Sequence, residues 1–213
     1  MSNFEKGWKR QDKESFGQRT KEAVRGPQPI KPRIQRATGQ LNQEISRLDV
    51  SLNRLKQREQ SIFKKTVGAV QIHDEQSSKA YSNELAEVKK MTRIVTQSKV
   101  ALEQVSLRLQ TVTDMGDFAI ALSPAIGVVR SVRKTLGTAM PDAQQALGDI
   151  GSTLNSIMVD VGGITGTNFF LGEPNEEAEK IMQEAAAVAE KRMTEAFPEV
   201  PSSSNESLFG SSG

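Results

Sequence analysis

His73 is the only histidine of the chain, and it stands beside Asp74 and Glu75 in "QIHDEQSS" (residues 71–78). Imidazole and carboxylate are the donors of a zinc site or an acid–base pair. A zinc site, however, needs three or four such ligands, and the sequence offers no second histidine and no cysteine. His73 therefore reads as part of a solvated turn. "VGGITGTNF" (161–169) has the glycines of a phosphate-binding loop but not the lysine followed by serine or threonine that grips a nucleotide, and reads as linker. The many Asp/Glu pairs read as solvating charges on helical faces. No catalytic residue, metal or cofactor is expected, so function must lie in surfaces.

The cations carry more chemistry. Arg33, Arg36, Arg47, Arg54, Lys56, Arg58, Lys64 and Lys65 crowd one stretch, where an anionic surface could meet several at once. Near an anionic bilayer each contributes about 1 kcal/mol, and a polymer multiplies the effect. Nucleic acid would feel the same field, and a solvated or salt-bridged face is the third use. Ahead of them Phe4 and Trp8 lie four apart among Lys6, Lys9 and Arg10. On a helix the two aromatics would share a face beside cations, the make-up of an interfacial anchor; in a disordered tail they would not. At the other end "FPEVPSSS" (197–204) interleaves Phe197 and Val200 with Pro198 and Pro201. Prolines hold a peptide extended at low entropic cost, which suits docking in a groove, although a helix stop with incidental apolar residues would look the same.

These segments sit on an uneven charge distribution. Residues 1–65 hold 16 lysines and arginines against 7 acids, and the remainder 12 against 19, for a net charge of only +2. A basic front and an acidic back can bind each other or outside partners. The apolar fraction is 36% and the aromatic fraction 5%, below the roughly 45–50% apolar of ordinary soluble domains, so a wide interior cannot be filled. The run "FAIALSPAIGVV" (118–129) is too short to span a bilayer, and "MSNFEKGWKRQDK" lacks the apolar core of a secretory signal. A cytoplasmic protein is expected.

Periodicity supplies the elements that position these residues. After the proline-rich "GPQPIKP" (26–32), expected to stop any helix, Leu41, Ile45, Leu48, Leu52, Leu55 and Ile62 step by fours and threes, with Glu59 the polar lapse. A second seam runs through Tyr81, Leu85, Val88, Val95, Leu102, Val105, Leu109 and Val112, with Thr92 and Ser98/Lys99 as lapses. Two seams imply an antiparallel, coiled-coil-like hairpin turning near 71–78. Residues 34–71 as one helix would span about 57 Å, against a radius of gyration of about 17 Å for a compact globule of this length, so a protruding rod is expected. Shorter helices follow. Ser123 and Pro124 read as N-cap and first residue of one that stops at Gly137, and another runs from Pro141 to Gly162 and Gly163, with Gly148 and Gly151 reading as close packing or a hinge. From 176 to 196, Ile181, Met182, Ala185, Val188, Ala189 and Met193 define an acidic amphipathic helix. The expected fold is all-α: a long antiparallel hairpin, shorter helices, and a C-terminal acidic helix.

The stretch "AYSNELAEVKKMTRIVTQSKVALEQVSLRLQTVTDMGDF" with "SPAIGVVRSVRKTLGTAMPDAQQALGDIGSTLNSIM" resembles the archaeal ESCRT-III proteins of the Cdv cell-division system (CdvB-type), relatives of the eukaryotic charged multivesicular body proteins. The resemblance implies a helical core over 33–161, a basic flexible segment over 1–32, a Gly-rich linker over 162–175, an autoinhibitory-type helix over 176–196 and a disordered tail over 197–213. It implies a subunit with no catalytic site that polymerises with itself and with paralogues on anionic membrane, at the inner face of mid-cell. Membrane contact then falls to Phe4, Trp8, Lys9, Arg10, Arg33, Arg36, Arg47, Arg54 and Arg58. "FPEVP" is similar to the second type of MIT-interacting motif, with Phe197 where leucine is usual; Phe197, Pro198, Val200 and Pro201 would meet the MIT domain of the AAA ATPase that disassembles such filaments. Some members carry a C-terminal winged-helix segment; this sequence ends at Gly213 without one, which points to a paralogue recruited by other subunits. The reading of a different class is a soluble coiled-coil adaptor that never touches lipid.

Overall fold

The computed structural model describes residues 29–112, 115–137, 140–165 and 176–196. Phe4, Trp8, Lys9, Arg10, Phe197, Pro198, Val200 and Pro201 lie outside the described residues, as do the expected basic segment over most of its length and the tail. The described chain is all-helical: α1 (Ile30–Gln71), α2 (Glu75–Thr111), α3 (Met115–Leu136), α4 (Pro141–Thr165) and α5 (Glu176–Ala196).

α1 and α2 form the antiparallel hairpin. Leu41, Leu48, Leu52, Ile62, Val88, Val95, Leu102, Val105 and Leu109 are buried, Ile45 and Leu55 pack half-buried against them, and Leu85 is half-buried. Polar cross-links fix the register. Ser106 Oγ donates to Asn42 Oδ1 at 2.6 Å, Lys99 Nζ to Asp49 Oδ1 at 2.5 Å, and Arg58 Nη2 to Glu84 Oε1 at 2.8 Å. Burial disfavours the charge on Lys99, but Asp49 and Glu103 outweigh it and hold the ammonium above its ordinary pKa. Thr92, 1% exposed, satisfies its hydroxyl by donating to the Val88 carbonyl at 2.9 Å. Glu59 has no such remedy. It is 1% exposed, and neither carboxylate oxygen has a hydrogen-bond partner. Burial raises its pKa, with Lys89 and Lys56 pulling the other way.

Helix α1 starts earlier than the prolines suggest, at Ile30, with Pro29 as N-cap and Pro32 inside the first turn. The first-turn N–H groups have no intrahelical acceptor, so a proline there forfeits no hydrogen bond. The turn is likewise tighter than the polar stretch 71–78, because only residues 72–74 separate the helices. His73 takes φ 56°, the left-handed conformation that ends a helix. Its N–H donates to the Val70 carbonyl at 3.1 Å, and that of Asp74 to Ala69 at 3.0 Å, a Schellman closure. The Asp74 carboxylate then accepts from Ser77 N–H at 3.0 Å and caps α2, and hydrogen bonding from the Ser77 side chain, with that from its N–H, lowers the Asp74 pKa. One residue thus closes α1 and opens α2.

α3 corrects the reading of Ser123 and Pro124 as a helix start: Pro124 lies inside a continuous helix. It removes the hydrogen bond to the Ile120 carbonyl, a defect of about 3 kcal/mol in an isolated helix. Burial on either side of the proline holds the helix together: Leu122, Ala125, Ile126, Val128, Val129 and Val132 are all at most 7% exposed. α4 packs on α3 through Leu147, Ile150, Leu154, Ile157 and Met158, and continues past Gly162 and Gly163 to Thr165, into the stretch read as linker. A Cβ on Gly148 would sit 3.2 Å from the Arg133 guanidinium carbon and one on Gly151 3.6 Å from a Val129 methyl. These two glycines mark the close approach of α4 to α3.

α5 buries Ala178, Ile181, Ala185 and Ala189, at steps of three and four, and the three alanines let it lie close on α2 and α3. Arg108 pairs with Glu177 at 2.5 Å, Gln97 Nε2 donates to the Met182 carbonyl at 3.3 Å, and Arg93 pairs with Glu190. The helix therefore runs antiparallel to α2. Its basic seat is on the second long helix rather than on the basic first one.

Candidate functional site

The cations of α1 sort themselves by helical register. Arg36, Arg47, Arg54, Arg58 and Lys65 are separated by 11, 7, 4 and 7 residues, spacings that leave them within roughly 40° of one another on a 3.6-residue helix. All five are exposed, with Arg47 and Arg58 side chains 57% and 64% accessible despite their pairs with Glu44 and Glu84. They form a line about 44 Å long at 1.5 Å per residue. Lys56 and Lys64 lie off it, by roughly 180° and 100°.

What keeps the line largely cationic is where α1 puts its acids. Glu44 and Glu59 are buried in the seam, and Asp49 falls on the opposite side, held by Lys99. Two carboxylates reach the line between Arg36 and Lys65: Glu44, buried beside Arg47, and Glu84 of α2 beside Arg58. Such a row attracts an extended anionic surface at several points together.

Arg33 belongs elsewhere. It pairs with Asp160 of α4 and donates to Ser156 Oγ at 2.9 Å, leaving its side chain 17% exposed. It fastens the start of α1 to α4, an assignment with no local signal because its partner lies 127 positions away. Arg93 and Arg108, the seat of α5, were also beyond reach of the seam pattern. Their one hint is spacing: 15 residues apart on α2, they match Glu177 and Glu190, 13 apart on α5.

A groove of about 300 Å³ opens beside the start of α1, with Ile34, Leu109 and Phe118 among its lining and Lys31 as its one titratable group. It holds no acid–base pair. Among the described residues no three His, Cys, Asp or Glu side chains converge as metal ligands, and no helix is long and apolar enough to cross a membrane.

No protein-family model matches the chain, and no solved structure matches it. Among curated proteins, Cell division protein B1 of Sulfolobus acidocaldarius is 37% identical over 173 residues, 81% of this chain and 81% of that protein. Cell division protein B of the same organism is 29% identical over 161 residues, 76% of this chain but 62% of the longer relative. Identity of this level across four-fifths of both chains places the sequence: it belongs to the cell division protein B family.

Proposed function

We propose that the protein acts in archaeal cell division as a non-enzymatic ESCRT-III subunit that polymerises on the inner, anionic membrane surface at mid-cell and drives its constriction and scission. The observation that carries the reading is the exposed cationic line Arg36–Arg47–Arg54–Arg58–Lys65, along which the α1 acids Glu44 and Glu59 are buried and Asp49 faces the other side. Each cation near an anionic bilayer contributes about 1 kcal/mol. A monomer then binds weakly and a polymer firmly, because every further subunit binds from an effectively concentrated state. The names of the relatives support the division role.

α5 fits the same reading as a closing strap. Its acids hold Arg93 and Arg108 at the surface of α2, and exposed pairs of this kind contribute at most about 1 kcal/mol each. Release by a competing surface is therefore cheap. Homo- and hetero-polymers with paralogues form once it lets go. Phe197, Pro198, Val200 and Pro201, directly beyond α5, serve as the recognition peptide for an MIT-domain AAA ATPase that takes the polymer apart.

The test is co-sedimentation with vesicles of phosphatidylglycerol and of neutral phosphatidylcholine, with electron microscopy of the pellets. Polymer on the anionic vesicles alone is expected. Absence of lipid binding under all conditions would leave a soluble coiled-coil adaptor, and pelleting only with nucleic acid would leave a nucleic-acid protein.

A further inference from the structure

Four of the nine exposed large apolar side chains among the described residues fall within the last turns of α1 and its turn: Phe63, Val67, Val70 and Ile72, at 50%, 39%, 56% and 75% exposure. The first three, spaced by four and three, share one flank of the helix within roughly 60°. The seam does not need them, since Ile62 and Ala69 fill it here. The polar contacts of α4 and α5 with the hairpin, at Arg33, Arg93, Gln97 and Arg108, fall from the middle of α2 to the end remote from the turn.

The charges around the stripe say what covers it. Between residues 56 and 82 the exposed cations are Lys56, Arg58, Lys64, Lys65 and Lys79, of which Arg58 is paired with Glu84, against Glu75 as the exposed acid. Two such tips repel each other, whereas an anionic headgroup layer attracts them. The depths agree as well. Lys64 and Lys65 stand about 11–12 Å along the helix from Ile72, and Val67 about 7.5 Å, while an interfacial helix buries its apolar face to about 5–10 Å. Val67, Val70 and Ile72 would then reach the acyl boundary with the two lysines at the phosphates. Entry by the α1 edge keeps Asp74 and Glu75, which begin α2, among the headgroups.

We infer that the hairpin tip is a membrane-inserting element, in which Val67, Val70 and Ile72 wedge into an anionic bilayer while Lys64 and Lys65 hold its phosphates and Phe63 stays at the headgroup level. The inference rests on the anionic-membrane reading above; because the stripe lies on the side of α1 roughly opposite the cationic line, the tip enters end-on, as a contact separate from one along the line.

The chain contains no cysteine, so Val67→Cys accepts a single environment-sensitive dye, with Ser152→Cys on the exposed side of α4 as reference. With phosphatidylglycerol vesicles the Val67 probe should shift to the blue and be quenched by lipids brominated near the headgroup, and the Ser152 probe should do neither. Separately, the unlabelled Val67→Ser/Val70→Ser protein should bind these vesicles at least about tenfold more weakly with unchanged helical circular dichroism. Vesicle binding without a shift at Val67 would overturn the inference and leave the membrane reading standing. No vesicle binding by the unmodified protein would overturn both. A Val67 shift that rises with protein concentration in the absence of lipid would assign the stripe to a second copy and overturn it too.

Discussion

Replacing Glu59 by leucine should stabilise the protein. The native carboxylate is 1% exposed between the two long helices and has no hydrogen-bond partner. An unsatisfied buried polar group costs about 1–3 kcal/mol, and burying a leucine there contributes about 1.5–3 kcal/mol. Against this stands the lost attraction to Lys89 and Lys56, at most about 1 kcal/mol for each partly exposed partner. A net gain of about 2 kcal/mol corresponds to a rise in Tm of about 4–8 °C for a chain of this size. The pH dependence gives a second reading. Burial raises the Glu59 pKa above its unfolded value, so the folded state holds the proton more tightly than the unfolded one. Its contribution is most favourable below the ordinary carboxylate pKa and is lost as pH rises through the folded value. Thermal melts of wild type, Glu59→Leu and the isosteric Glu59→Gln from pH 4 to 8 should show the leucine advantage growing with pH. The glutamine variant should lose the pH-dependent difference while gaining little stability, because its amide stays unpaired. A leucine variant less stable than wild type at pH 7 would refute the reasoning, and would mean that Glu59 is satisfied by its lysines.

Three further outcomes follow from the geometry. His73→Gly should raise Tm, since the position has φ 56° and a non-glycine residue there costs about 1–2 kcal/mol; an unchanged or lower Tm would mean that the imidazole makes a compensating contact. Arg93→Glu/Arg108→Glu turns both pairs holding α5 into repulsions, and should increase sedimentable polymer, most at low ionic strength where screening is weak; unchanged sedimentation would remove α5 as a strap. A peptide of residues 194–205 should bind the cognate MIT domain in calorimetry and lose at least about a hundredfold when Phe197 and Val200 become alanine; equal affinities would reduce "FPEVP" to the end of a helix.

The hairpin was legible because its signal is local and repeated: leucines and valines at threes and fours report the seam wherever the helices run. Its ends were less so. Polarity at 71–78 suggested a loop of that length, yet glutamine and glutamate are good helix formers, and Asp74 caps within a single residue, so the helices claim all but 72–74. Pro124 misled because local propensity favours a break, whereas packing of Leu122 through Val132 outweighs one lost hydrogen bond. The five-membered cationic line needs only spacing, and sequence holds it in full. Arg33 looks like its sixth member until Asp160 is brought across from α4. Likewise the charge split predicted that the acidic helix would seek a basic surface, but choosing α2 over α1 depends on how α3 and α4 route the chain.

On the reading proposed above, the line of α1 cations meets the membrane. Arg47, Arg54 and Arg58 stand exposed on it, and Leu41, Leu48, Leu52 and Ile62 hold the hairpin on another side. Arg47 and Arg58 also pair with Glu44 and Glu84, partly exposed pairs of at most about 1 kcal/mol each. Changing the three arginines to glutamate should therefore lower stability slightly and leave helical content near wild type. Removing three attractions of about 1 kcal/mol and replacing them with repulsions should weaken binding to phosphatidylglycerol vesicles by at least about a thousandfold. The reference is the same charge change placed off the line, at exposed Arg130, Lys134 and Lys191. Loss of vesicle co-sedimentation by the first triple variant and its retention by the second is the predicted result. Equal binding by both would contradict the account.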